Sequence, residues 1–206
     1  ATLISMYIFG HLGFGATATH WLVSRKLNHQ STKSEASTLL FGWALIGCLL
    51  PDLLDKPLYI LNRTLELNIP GIIGDKSIAH SIIFCSLIFT YSLFRNNLLL
   101  LSFSIGTFSH LCLDLFADSS VWWIYGTAGS IPPYSFSSPK LIGYFWPLLT
   151  TEFAPSSQES FNDYWVGLLK PILLGYEIIG VLLLIHMSIK VKFSPLRWLN
   201  YVIKLK

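Results

Sequence analysis

Apolar residues are gathered into long blocks along this chain, with short polar stretches between them. Five blocks are apparent, at about residues 3–23, 37–54, 78–94, 97–117 and 166–189. Their lengths approach the roughly 20 residues that an α-helix needs to cross a bilayer. Spanning segments that are not closed barrels must be helices, because only a helix satisfies its own backbone hydrogen bonds in lipid. The pattern therefore predicts an all-α fold, a polytopic membrane helix bundle of about five transmembrane helices.

The polar stretches predict how these helices are connected. Residues 24–36 form a basic loop, and residues 55–77 form a longer loop that is rich in Pro, Asn and Gly. The sequence "RNN" at 95–97 predicts a tight turn. Residues 118–165 contain many Pro, Ser, Trp and Tyr residues, and Trp and Tyr favour the membrane interface. We expect this last segment to be an ordered outer loop.

No repeat or linker divides the sequence, which indicates a single integral membrane domain over residues 1–206. The motifs that contain His and Asp lie within about 8–150, and the last span and a basic tail occupy 166–206. The first apolar block lacks a basic leader and a small-residue cleavage signal, so it is expected to be a retained helix. The three cysteines lie in apolar blocks without CxxC spacing and are interpreted as packed thiols.

Composition and charge support a membrane protein and argue against nucleic-acid binding. The chain is 52% hydrophobic and 12% charged, whereas a soluble domain is about 25% charged. The formal net charge is only +3, and the Lys and Arg residues lie in short loops and at the C-terminus. This distribution provides no basic stripe for nucleic acid. Because basic residues favour the cytoplasmic side, it predicts an N-out, C-in orientation, with the tail "SPLRWLNYVIKLK" along the inner surface. Membrane lipids are the expected partners.

Two costly polar residues interrupt the fourth apolar block. His110 and Asp114 are four residues apart, so they share one face of a helix. An Asp at the centre of a membrane helix costs roughly 2.5–3.5 kcal/mol on insertion scales. The pair therefore needs a compensating interaction.

Other carboxylates and imidazoles fall at a similar predicted depth. "GCLLPDLLDKP" closes the second block, "GDKSIAHSIIF" opens the third, and one histidine lies in the outer half of the first. Together with the fourth block they provide these candidates: His11, Asp52, Asp55, Asp75, His80, His110 and Asp114. Such residues are ligands for zinc, manganese or iron. Carboxylates that do not bind the metal can orient an imidazole ligand by accepting a hydrogen bond from its other ring nitrogen. Each residue alone has an ordinary interpretation as a hydrogen-bonded core residue or helix cap, whereas the clustering favours a metal site.

The order of these motifs resembles a family of small inner-membrane proteins described as membrane-bound metal-dependent hydrolases. The resemblance rests on "FGHLGFG", "LLPDLLDKP", "GDKSIAHSIIF", "GTFSHLCLDLF" and "WPLL", over about residues 8–150. That family is distantly likened to zinc-dependent phospholipase C, which implies hydrolysis of a phosphoester or lipid. Many members have His where this chain has Asp75, and Asp75 can also bind a hard or borderline cation.

The resemblance implies an integral inner-membrane hydrolase with a divalent metal, zinc or manganese, near the outer leaflet. The metal would activate water and polarise the phosphoryl or acyl group. Asp52 or Asp55 would be the general base, His80 would donate to the leaving oxygen if it is not a ligand, and Lys56 or Lys76 would hold an anionic head group. Ser81 is interpreted as a helix-start hydrogen bonder rather than a nucleophile.

The main alternative is a non-catalytic membrane subunit or scaffold in which the same polar cluster locks helices together. That alternative implies a membrane-protein partner or an oligomer, and it predicts that carboxylates pair with Lys or Arg. An ion pathway is disfavoured because the polar residues cluster at one side of the membrane. Glu177, in the middle of the last block, has no partner obvious from the sequence; Lys170 is one candidate.

Overall fold

A computed structural model describes residues 8–24, 33–67, 69, 76–121 and 171–204 of the chain. These residues form helices joined by turns, which confirms the predicted all-α class over the described ranges. The elements in chain order are α1 Ile8–Ser24, α2 Lys33–Thr64, a 3₁₀ turn Ile78–His80, α3 Ile82–Phe94, α4 Leu98–Val121, α5 Pro171–Lys190 and α6 Pro195–Lys204.

The longest helix, α2, differs most from the sequence-based prediction. It continues through Pro51 and Pro57 to Thr64, so the loop predicted to begin at residue 55 begins only after residue 64. Pro51 has no N–H for the carbonyl of Gly47, four residues earlier, and the hydroxyl of Thr107 donates to that carbonyl at 3.2 Å. An alternative donor thus offsets part of the cost of a proline inside a helix.

The other helix boundaries lie close to the predicted ones. α4 and α5 match the fourth and fifth apolar blocks, although α4 continues to Val121, past the predicted start of the outer loop. The third block begins with the 3₁₀ turn, and its helix α3 has 13 residues, about 20 Å. Asn97 caps α4 by accepting from the N–H groups of Leu99 and Leu100, and Ser81 accepts from Phe84 at the start of α3, as expected.

Two described helices are long and apolar enough to cross a membrane, namely α2 from Glu35 and α4 to Phe116. The pair α5 and α6, bent by 57° at the turn between them, gives a third candidate if it counts as one span. Five spans are not confirmed. Large apolar side chains nevertheless lie on helix exteriors, including Leu87, Phe94 and Leu182, as expected where lipid replaces water.

The chain forms two compact units, and each is described by itself. Unit 1 contains the described residues within 51–86 and 111–121. Unit 2 contains residues 8–24, 33–50, 87–110 and 171–204. The predicted outer loop from 122 onward lies outside the described residues, and so does Asp75.

Glycines permit close helix packing in unit 2. A Cβ at Gly13 of α1 would overlap the carbonyl of Gly180 in α5, and a Cβ at Gly180 would overlap the backbone of Phe9 and Gly10. A Cβ at Gly106 of α4 would likewise overlap the backbone of α2. Small residues that let backbones approach are typical of helix association in membranes, where burial of apolar surface provides little driving force.

Candidate functional site

Unit 1 gathers six ionisable side chains, here called the His80 cluster. They come from the second half of α2, the segment around the 3₁₀ turn, and the C-terminal part of α4. The members are Asp52, Asp55, Lys56, Lys76, His80 and Asp114. All except Lys76 are buried, which is expensive for charged groups unless they are paired or bind an ion.

Asp55 is the residue that shapes the turn carrying His80. Its Oδ2 accepts hydrogen bonds from the backbone N–H groups of Ser77 at 2.7 Å and His80 at 3.1 Å. Its Oδ1 accepts from the Ser77 hydroxyl at 2.7 Å and from the N–H of Ala79 at 3.1 Å. The first N–H groups of a short helix have no partner within it, so this carboxylate caps the 3₁₀ turn from a neighbouring helix. The N–H of His80 also donates to the Ser77 carbonyl within the turn, at 3.1 Å.

Asp55 also orients the imidazole of His80. The Nδ1 atom of His80 lies 2.7 Å from Asp55 Oδ2, and because a carboxylate only accepts, Nδ1 is the donor. This bond fixes the ring and directs Nε2 toward two other carboxylates. Nε2 lies 3.4 Å from Asp114 Oδ2 and 3.7 Å from Asp52 Oδ1.

The two lysines pair with the same carboxylate oxygens that face His80. Lys56 Nζ lies 3.1 Å from Asp52 Oδ1, one helical turn along α2. Lys76 Nζ lies 3.0 Å from Asp114 Oδ2. Three carboxylates and two ammonium groups leave one negative charge when His80 is neutral. The cluster can therefore accommodate one further positive charge, from a proton on Nε2 or from a metal ion.

His80 Nε2 and each of the two carboxylate oxygens that it faces are spaced as two ligands of one divalent metal ion would be. Two ligands of a tetrahedral zinc ion lie about 3.3 Å apart, because Zn–N and Zn–O distances are about 2.0–2.2 Å. The separations of His80 Nε2 from the Asp114 and Asp52 oxygens, 3.4 and 3.7 Å, are close to that value. The Asp55–His80 bond is also the arrangement in which a carboxylate holds a metal-binding histidine by its other nitrogen.

The two remaining predicted histidines lie in unit 2. The rings of His11 in α1 and His110 in α4 have centroids 4.1 Å apart and are tilted by 37°. His110 Nδ1 donates to the backbone carbonyl of Cys48 at 2.6 Å, which leaves Nε2 with the lone pair in the neutral ring. Both side chains are buried. Participation of His11, His110 and Asp75 in one metal site with the His80 cluster stays a prediction.

Glu177 has a partner that the sequence did not indicate. Its Oε2 accepts from the N–H of Phe9 at 3.1 Å and its Oε1 accepts from the N–H of Gly10 at 3.0 Å. It therefore caps the N-terminus of α1 from α5. Lys170, the candidate partner named from the sequence, lies outside the described residues. Glu177 lies on α5 close to Gly180, one of the glycines that let α1 and α5 approach each other. This position was the sequence signal for the contact.

Comparison with known families gives one match, to the model described as YdjM inner membrane protein, over residues 6–192. The match covers most of the 206-residue chain. The chain belongs to the YdjM inner membrane protein family. It is accordingly an inner-membrane protein whose apolar helix surfaces contact lipid. The comparisons with curated proteins and with solved structures gave no match.

Proposed function

We propose that this YdjM-family protein is a membrane-embedded hydrolase that depends on a divalent metal and cleaves a phosphoester, with its site in the His80 cluster. The observation that supports the proposal most is the position of His80 Nε2. That nitrogen faces oxygens of both Asp52 and Asp114 while Nδ1 is held by Asp55. A neutral imidazole in this tautomer directs a lone pair at two carboxylates, which is unfavourable unless Nε2 binds a proton or a metal ion lies between the three groups, and we propose the metal ion.

The proposed ligands are His80, Asp52 and Asp114, one from each of the three chain segments that build the cluster. Zinc or manganese suits this set of one nitrogen and carboxylate oxygens. When bound, such a metal polarises a phosphoryl oxygen and acidifies water. Three protein ligands leave a coordination position for substrate, as catalytic rather than structural zinc sites do.

The remaining residues of the cluster have separate roles in this proposal. Asp55 is a positioning residue, because its two oxygens already accept five hydrogen bonds from the turn and from His80. Asp52 accepts the proton of the attacking water through the carboxylate oxygen that does not bind the metal. Lys56 and Lys76 hold their carboxylates in place and attract the anionic phosphoester.

A divalent ion also gives the cluster the right charge for this substrate. With neutral His80, the three carboxylates and two lysines carry one negative charge, and a divalent ion converts that to one positive charge. An anionic phosphodiester is then attracted rather than repelled. Burial strengthens the effect, because charges interact more strongly away from water.

The site is expected near the outer leaflet. The C-terminal tail contains five of the 14 Lys and Arg residues, and such basic segments favour the cytoplasmic side. The N-out, C-in orientation follows if the chain crosses the membrane five times. Ser194→Cys should then resist an impermeant thiol reagent in intact cells, and its labelling would reject this orientation.

Hydrolysis of bis(p-nitrophenyl) phosphate by purified protein tests the proposed function. The protein is stripped with a chelator and reloaded with Zn²⁺ or Mn²⁺, in parallel with Asp114→Asn and Glu35→Gln. Glu35 is an exposed carboxylate on α2 and serves as the matched control. We expect activity only after reloading, at least tenfold less in Asp114→Asn, and no loss in Glu35→Gln. Metal-independent hydrolysis, or none in the reloaded wild type, would contradict the proposal.

The two lysine pairs favour a second candidate, a non-catalytic subunit whose cluster locks helices together. In that case Lys56 and Lys76 neutralise Asp52 and Asp114, and His80 carries a proton on Nε2. This candidate predicts no bound metal. It also predicts that His80→Gln, which retains an amide donor, lowers the melting temperature in detergent whether or not zinc is present.

A further inference from the structure

The C-terminal helix α6 has an apolar face that no described residue covers. Leu196, Leu199 and Ile203 are 75%, 49% and 60% exposed. Their spacing of three and four residues places them on one side of a helix. Three large aliphatic side chains at such exposure on a 10-residue helix are unfavourable in water.

The opposite side of α6 is attached to α2 within unit 2. A Cβ at Gly42 of α2 would overlap the indole of Trp198, so the absence of a side chain at Gly42 provides the space for that ring. The Trp198 ring also contacts Trp43 edge-to-face, with centroids 6.4 Å apart. Trp198 and Val202, four residues apart, are both half-buried. One apolar side of α6 therefore packs against α2, while the side with Leu196, Leu199 and Ile203 is exposed.

The direction of the chain changes sharply before α6. α5 ends at Lys190, Lys192 adopts a positive φ of 53°, and α5 and α6 are bent by 57° relative to each other. Arg197 Nη1 donates to the carbonyl of Lys192 at 3.2 Å and braces this turn. A helix that bends away from a membrane-crossing helix in this manner can lie at the lipid surface.

The charge of this region is entirely positive. After Glu177 the chain contains no Asp or Glu, whereas it contains five basic residues: Lys190, Lys192, Arg197, Lys204 and Lys206. Lys190, Lys192 and Arg197 are exposed. Each Lys or Arg near an anionic membrane surface contributes about 1 kcal/mol of attraction.

We propose that α6 binds anionic phospholipid, with Leu196, Leu199 and Ile203 among the acyl chains and the basic residues at the head groups. Apolar contact alone would suit any lipid. The five basic residues, with no acidic residue after Glu177, make the charge complementary to anionic head groups in particular, and the cytoplasmic leaflet expected at the C-terminus is anionic. This role is independent of the His80 cluster and of hydrolysis.

A fluorescent label at residue 199 tests the proposal in the full-length protein. The exposed Cys112 is replaced by Ser, Leu199→Cys is labelled with bimane, and the protein is reconstituted in phosphatidylcholine vesicles. A second sample of vesicles contains phosphatidylglycerol as well. Quenching is compared between brominated phosphatidylcholine and brominated phosphatidylglycerol at equal mole fraction.

We expect both lipids to quench the label and the anionic lipid to quench about threefold more efficiently at low salt. The preference should shrink in 0.5 M NaCl, because salt screens exposed charges. It should also shrink in the variant with Lys190, Lys192 and Arg197 changed to Gln, which keeps two of the five basic residues. Arg63→Gln, an exposed arginine of unit 1, is the control and should keep the preference.

Three results would overturn the proposal. Equal quenching by the two lipids would show that α6 has no preference for anionic head groups. Quenching by aqueous iodide but by neither lipid would show that the face lies in water, and protection from all quenchers would show that protein covers it. The replaced residues are exposed, so monodispersity and melting temperature of each variant verify that the fold is retained.

Discussion

Replacing Asp55 should release the turn that carries His80. In Asp55→Ala, the N–H groups of Ser77 and Ala79, the Ser77 hydroxyl and His80 Nδ1 lose their acceptor, while the N–H of His80 keeps its bond to the Ser77 carbonyl. A buried group left without its partner costs about 1–3 kcal/mol. Because the losses are not additive and water can enter, we expect a total of about 4 kcal/mol, as for other broken buried networks.

The conservative variant Asp55→Asn should not restore the turn. Oδ1 accepts from the N–H of Ala79, and Oδ2 accepts from the N–H groups of Ser77 and His80. An asparagine in either orientation therefore places its NH₂ group against a backbone donor. This failure distinguishes a charged cap from a side chain that only fills space.

Hydrogen–deuterium exchange of a peptide containing residues 77–84 provides the assay. If the turn opens locally, a loss of about 4 kcal/mol corresponds to roughly a thousandfold faster exchange of the Ala79 and His80 amides. Asp52→Asn is the matched control, three residues earlier on α2, and should change this exchange much less because Asp52 pairs with Lys56. Exchange within tenfold of wild type in Asp55→Ala would refute the reasoning.

Three further predictions concern stability in detergent, measured by unfolding in mixed micelles. Ser77→Ala should destabilise the protein by about 1–2 kcal/mol, less than Asp55→Ala, because it removes the hydroxyl bond to Asp55 and keeps the bond from the backbone N–H. An effect as large as that of Asp55→Ala would contradict this prediction. Glu177→Gln should cost about 1–3 kcal/mol, since an amide has one acceptor for two N–H groups at the start of α1, and wild-type stability would count against this cap. Gly180→Ala should be strongly destabilising, because the new Cβ would overlap α1. Its control is Gly175→Ala, which should be neutral or stabilising because nothing lies within 4 Å of the new Cβ. Equal effects of the two substitutions would contradict the packing of α1 against α5.

The sequence predicted the helical class and the proximity of several polar residues, because both depend on local patterns. Long apolar blocks require helices in a membrane, and four members of the predicted set, Asp52, Asp55, His80 and Asp114, do come together in unit 1. The tail predicted to lie along the inner surface contains the helix α6. The membrane location follows independently from the family.

The division of roles among the carboxylates could not be predicted. Asp52 and Asp55 lie on the same helical turn and look alike in sequence, yet Asp55 accepts from the backbone of the turn at 77–80 while Asp52 faces His80 Nε2. That difference depends on contacts between residues more than 20 positions apart. Spacing within one helix does not contain this information.

The length of α2 was missed for a similar reason. Two prolines normally indicate the end of a helix, and the loop was predicted to start at 55. The donor that offsets the break, the Thr107 hydroxyl on Gly47 O, is 60 residues away in sequence. Likewise, the partners of Glu177 are backbone N–H groups of α1, which no side-chain pattern reveals.

Metal content and coordination of the purified protein test the central claim most directly. Zinc is added to the chelator-stripped protein, unbound ion is removed, and the zinc per chain and its X-ray absorption spectrum are measured. We predict one tightly bound zinc with nitrogen and oxygen ligands at about 2.0–2.2 Å, lost or greatly weakened in Asp114→Asn and retained in Glu35→Gln. A wild type without stoichiometric zinc, or an Asp114→Asn variant that binds it equally well, would contradict the account.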